Sequence, residues 1–251
     1  MKRETMIAPN WMKDEVVPKI LDMDYVKRNV VFRLVNEAAV RDGEVSDPWN
    51  GDMVIVYRIH MKNDMSIVVS YSDIKRMFGD VDTMRKLAKE NTPRLFPAIF
   101  LGMKEQLERI CGFSIGEEPE KMYVLTNKTG VNGATCILYP DIHKVIREKI
   151  NGAYYIIPSS IHELIIVPAD MVEKGKEELD NIIGDINTEV VDEKDFLSNK
   201  SLYVSPGNVI ASTTLMDRIE KTKNKLKERD EIIRKNEEMI DFMNEIIKEI
   251  F

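Results

Sequence analysis

The chain has 251 residues, enough for one large domain or two small ones. Apolar residues make up 43%, which is enough to build a buried core. Acidic residues outnumber basic ones to leave a net charge of −7, which argues against general binding to phosphate backbones.

No apolar run approaches the ~18 residues that a bilayer-spanning helix needs. Residues 1–20 lack the continuous apolar stretch of a secretory leader, so the expectation is a soluble, cytoplasmic protein. The two cysteines, Cys111 and Cys136, lie far apart in apolar surroundings and outside any CxxC spacing. They read as reduced core thiols.

Taken in order, residues 11–40 predict two helical pieces. In the second, Val26, Val30, Leu34 and Ala38 fall four apart behind Asp24 as an N-cap. Residues 41–52 are rich in turn formers and predict a loop. The β-branched run MVIVYRI and the segment SIVVS predict a hairpin with its tip at Asn63 and Asp64. Ser72 or Asp73 then caps a short helix that Gly79 stops, and a second helix covers residues 81–90. Pro93 and Pro97 predict a break, because the residue before a proline is pushed out of helical geometry. Residues 99–111 predict a helix with Ile99, Met103, Leu107 and Ile110 in one stripe.

The segments MYVLT and TCILY predict a second hairpin around the turn-forming sequence NKTGVNG. Asp141 opens a helix over residues 142–150, stopped by Asn151-Gly152. YYII and ELIIV predict two more strands joined by residues 158–162. Residues 171–186 predict an acidic amphipathic helix with Val172, Leu179, Ile182, Ile183 and Ile186 toward the core, and Leu202–Val204 a short strand. The order hairpin, then Asp-Ile-basic-basic helix start, occurs at residues 54–78 and again at 122–146. It reads either as two related hairpin–helix units or as convergence on a common arrangement.

From residue 216 onward there is no glycine or proline. Ile219, Leu226, Ile233, Ile240 and Ile247 recur every seven residues, flanked by Met243 and Ile250. A helix of roughly 35 residues would be ~50 Å long, more than a domain of this size needs. It either pairs with a second chain as a coiled coil or folds back on its own domain. The expected class is thus α+β: antiparallel β hairpins packed with helices, plus a long C-terminal amphipathic helix. The expected organisation is a globular domain over residues 1–211, with sub-lobes at 24–111 and 122–204, followed by the helix at 212–251.

The chemistry-bearing motifs are few. There is no GxxxxGK[ST] or GxGxxG phosphate loop, no HExxH, and no GxSxG elbow. Three scattered histidines do not suggest a metal site, and no cofactor is expected. Ser160, His162 and Glu163 form one candidate: a serine and a histidine close together suggest nucleophile and base, although proline and serines also make an ordinary turn. Cys136 with Asp141 and His143 is a second, against which stands a buried inert thiol. Lys128, Asn132 and Gly133 form the third, as a loop that could hold an anion in backbone N–H groups or simply join two strands.

The pieces YVKRNVVFRLVN, AKENTPRLFP, YVLTNKTGVNGATCILYP and YYIIPSSIHELIIVP, with INTEVVDEKDFLSNKSLYV, make residues 24–205 resemble an uncharacterised Gram-positive bacterial family of unknown function. A weaker likeness extends to a second bacterial family of the same standing, with a comparable hairpin–helix–hairpin ending. The resemblance implies a shared fold and supplies no activity, cofactor or catalytic residue. Relative to that family the chain looks shortened at the front and lengthened by its C-terminal helix.

The leading functional expectation is a non-enzymatic interaction or scaffold protein that meets a partner, or a second copy, through Ile219, Leu226, Ile233, Ile240, Met243, Ile247 and Ile250. The alternatives are a small-ligand binder or enzyme at the 127–133 and 158–163 loops, and a nucleic-acid-associated protein using the basic stretch from Arg218 to Arg229.

Overall fold

The structure is a computed structural model, and the residues it describes are 16–62, 65–112 and 120–206. The hairpin tip at Asn63 and Asp64, residues 113–119 and the whole C-terminal heptad segment lie outside them. Within the described residues the class is α+β, with antiparallel sheets and packed helices.

The first sheet is built on β3 (Met53–His60), the apolar run MVIVYRI. It pairs antiparallel with β1 (Val30–Asn36), β2 (Ser46–Asn50) and β4 (Ser66–Val68). Two of these strands depart from the sequence expectation. Helix α2 (Met23–Asn29) is capped by Asp22, which accepts from the N–H groups of Asp24 and Tyr25, and it ends where β1 begins. The four-residue spacing of Val26, Val30 and Leu34 reads as helical, yet it is also even-numbered and fits a strand. Every residue of β1 is buried, so both parities are apolar and neither period stands out. Strand β2 arises in the turn-rich stretch because Asp47 and Trp49 turn inward against β3, while Pro48 lies at a register shift.

Beyond the short helices α1 (Val17–Leu21) and α3 (Ile74–Met77), α4 (Val81–Leu95) runs through Pro93. It is capped by Asp80, whose carboxylate accepts the Thr83 N–H at 2.6 Å. A proline in the last turn removes one hydrogen bond. The burial of Met84, Ala88, Asn91 and Thr92 outweighs that loss.

The second sheet has the order β5 (Ala98–Gly102), β6 (Tyr123–Asn127), β8 (Leu164–Pro168), β7 (Tyr154–Ile157) and β9 (Leu202–Val204). Residues 99–102, expected as the start of a helix, belong to β5, which pairs with β6 along its whole length, and the helix starts only at α5 (Met103–Cys111). Cys111 is exposed rather than a core thiol.

The stretch TCILY is not a strand. Gly133–Leu138 forms a fully buried 3-10 helix, so the supposed second hairpin has one arm and the internal echo does not extend to three dimensions. The two aspartates that carried the echo also make no side-chain cap, either at Asp73 ahead of α3 or at Asp141 ahead of α6 (Ile142–Ile150).

Helix α7 (Gly175–Val190) buries Ile183 and Asn187. Ile182 and Ile186, expected in the core, are 46% and 53% exposed, and Val190 is 76% exposed. The inward face is partly polar instead. Asn187 Nδ2 donates to the Ser198 carbonyl at 3.1 Å and to Asn199 Oδ1 at 2.8 Å.

Candidate functional site

Because β6 and β8 are antiparallel, with Leu125 opposite Leu164, the loop leaving β6 and the loop entering β8 meet at one end of the sheet. The first loop, residues 127–133, carries Lys128, Asn132 and Gly133. The second, 158–163, carries Ser160, His162 and Glu163.

The two loops are joined mainly through backbone groups. Thr126 Oγ1 donates to the carbonyl of His162 at 2.8 Å, and Ala134 N donates to the carbonyl of Ile161 at 3.2 Å. His162 is held at both ring nitrogens. Its Nδ1 accepts the Asn132 N–H at 3.3 Å, and Nε2 lies 3.2 Å from Asp195 Oδ1. An Nδ1 that accepts leaves the proton on Nε2, directed at Asp195. The backbone N–H of Ile161 also donates to the carbonyl of Asp195, at 2.9 Å. A third segment is therefore tied to the same loop.

The Ser160 hydroxyl accepts the backbone N–H of His162 at 3.0 Å, and Ser160 N donates to the carbonyl of Glu163. Serine and imidazole are thus joined through main chain. For the ring to take a proton from Ser160, it would have to release Asn132 or turn from Asp195.

The backbone donors of the 127–133 loop are already engaged. The N–H of Lys128 goes to Pro97 O, that of Thr129 to Asn127 Oδ1 and that of Gly130 to Asn127 O. The N–H of Val131 goes to Thr129 Oγ1. An anion would have to displace these bonds, and the Lys128 side chain is exposed. Asn132 adopts a left-handed backbone, φ 55°, which asparagine tolerates better than most residues. At Gly133 a Cβ would collide with Thr126 Oγ1 and the His162 carbonyl, so only glycine allows the loops to approach this closely.

Beside the loops is a small crevice lined by Arg33, Thr92, Phe96, Asn127, Asn132 and Tyr139, among others. Its interior space is about 10 Å³, the room a single water needs. The Tyr139 hydroxyl donates to the Phe96 carbonyl at 2.8 Å.

The group of Cys136, Asp141 and His143 is dispersed over separate contacts. Cys136 is buried, and burial pushes its thiol up to about 12, away from thiolate chemistry. His143 Nδ1 lies 2.9 Å from the Tyr154 hydroxyl in the core. Burial first, and then the Arg147 charge, lower its pKa to about 4, so the imidazole is neutral.

Sequence reasoning did not find Asp195, which completes the His162 arrangement from 33 positions away. It also missed a buried cluster in the first sheet. The Tyr57 hydroxyl donates to Asp47 Oδ2 at 2.7 Å, and the Arg85 guanidinium holds both carboxylate oxygens of Asp47. Burial, followed by the Asp47 charge, raises the Tyr57 pKa well above its usual value. The only local hint of this cluster was Asp47, one of three aspartates in the turn-rich stretch 41–52.

The chain belongs to DUF5688, a family of unknown function, whose model matches residues 5–205. No curated protein and no solved structure matches the chain. The family match starts ahead of the first resembling piece and ends with the strand β9 segment.

Proposed function

We propose that this is a non-enzymatic bacterial protein of the cytoplasm that associates with a second copy of itself through residues 212–251, its family domain serving as the carried scaffold. The observation that carries this reading is the seven-residue recurrence of Ile219, Leu226, Ile233, Ile240 and Ile247 in a segment without helix breakers from 216 onward. The use of Ser160, His162 and Asn132 in joining loops to one another supports it. The exposed Cys111 thiol suits a reducing compartment.

Sedimentation equilibrium of the full chain tests the reading. The expected result is a concentration-dependent dimer that becomes monomeric in the variant Ile233→Lys/Ile240→Lys/Ile247→Lys, with the circular-dichroism signal of the sheets retained. A monomeric wild type, or a variant with unchanged association, overturns it.

A further inference from the structure

Helix α7 presents an apolar row that its own domain leaves uncovered. Ile182, Ile186 and Val190 follow one another at four-residue intervals and are each 46% or more exposed. Side chains at this spacing stack along one face of a helix. On one side the row borders the buried Ile183 and Asn187. On the other, Asp185 and Glu189 follow Ile182 and Ile186 by three residues and lie alongside them, both exposed.

Across Gly175–Val190 there are five acidic side chains and one base, Lys176, which is already bonded to Asp180. A continuous apolar row edged by charge marks a docking face. The sign of that charge selects the occupant. A second copy of α7 laid antiparallel on this row would bring acidic edge to acidic edge, and like charges across an interface oppose pairing.

We infer that the Ile182–Ile186–Val190 face of α7 binds an amphipathic helix of a partner protein, whose apolar stripe is edged by lysine or arginine opposite Asp185 and Glu189. This is independent of the heptad segment proposed above.

The test uses the full-length chain and two synthetic 16-residue helical peptides with leucine at every third or fourth position, one edged with lysines and one with glutamates. Fluorescence anisotropy at physiological salt is expected to show the lysine peptide binding about tenfold more tightly than the glutamate peptide. Ile182→Glu/Ile186→Glu, which alters only exposed side chains, is expected to abolish that binding. Asp185→Lys/Glu189→Lys is expected to invert the preference.

Equal binding of the two peptides, binding that survives Ile182→Glu/Ile186→Glu, or no binding of either overturns the inference. So does a change in sedimentation of the Ile182→Glu/Ile186→Glu chain, which would assign the face to a second copy. None of these outcomes bears on the heptad variants, whose effect is read separately from oligomeric state.

Discussion

The side-chain hydroxyl of Thr135 accepts the backbone N–H of Leu34 at 3.1 Å, across 101 positions of chain. Two residues earlier, Thr92 Oγ1 accepts the N–H of Phe32 at 3.0 Å. Strand β1 pairs with β3 on one side only, and its outer edge is buried. The two threonines therefore do the work of a missing neighbour strand, and Asn91 adds a bond to the Val30 carbonyl. The 3-10 helix and α4 are seated against the first sheet by these bonds.

Replacing Thr135 with valine keeps the shape and removes the acceptor. The Leu34 N–H is then buried without a partner, at a cost of about 1–3 kcal/mol in urea unfolding. Thr92→Val is expected to cost at least as much, because its hydroxyl also donates to the Ala88 carbonyl at 2.6 Å.

Gly133→Ala is expected to destabilise the protein by roughly 2–3 kcal/mol, since the new methyl meets Thr126 Oγ1 and the His162 carbonyl in a packed junction. Gly130→Ala is the contrast. Its φ is +70° and a Cβ there meets nothing, so only the left-handed backbone penalty of about 1 kcal/mol applies. Equal losses in thermal melts of the two variants would show that the close approach does not matter.

Arg85→Met breaks a pair whose side chains are 13% and 4% exposed, and leaves the Asp47 carboxylate in the core with Tyr57. The expected loss is about 3–5 kcal/mol. The triple variant Asp47→Leu/Tyr57→Phe/Arg85→Met removes the charge and its partners together. It is expected to recover most of that stability, as measured by chemical denaturation.

His143 sets a pH dependence whose sign follows from its neutral, buried state. Its folded pKa is about 4, against an ordinary value of 6.5, so between these values the unfolded chain binds more protons than the folded one. The contribution is fully present above pH 6.5 and is lost as pH falls through that window, by about 2–4 kcal/mol at pH 4. In His143→Gln this part of the pH slope is expected to vanish from denaturation curves taken between pH 7 and pH 4.

The sequence alone was enough for the class and for much of the second sheet. MVIVYRI, MYVLT, YYII and ELIIV are short, β-branched or aromatic and bounded by turn formers, and each became a strand near its expected limits. Asp195, by contrast, reaches His162 only through the path of residues 191–197, which no local pattern records.

Where elements are buried on all sides, hydrophobic periodicity carries no information. That is why Val30–Asn36 reads as helix, and why TCILY, wholly buried in a 3-10 turn, reads as strand. Residues 99–102 are only partly buried, and they read as helix because Ile99 falls on the same four-residue stripe as Met103 and Leu107 of α5. On α7 the converse holds. An apolar residue names a face that avoids water, but not the surface that covers it.

The pattern of residue types thus determined which segments are apolar and where the turns fall, since both are local properties of the chain. Tertiary structure alone decided which hydroxyl closes the edge of β1, which carboxylate holds His162 and which isoleucines of α7 remain in solvent. Each of these depends on a distant residue arriving within about 3 Å, the range in which a hydrogen bond forms.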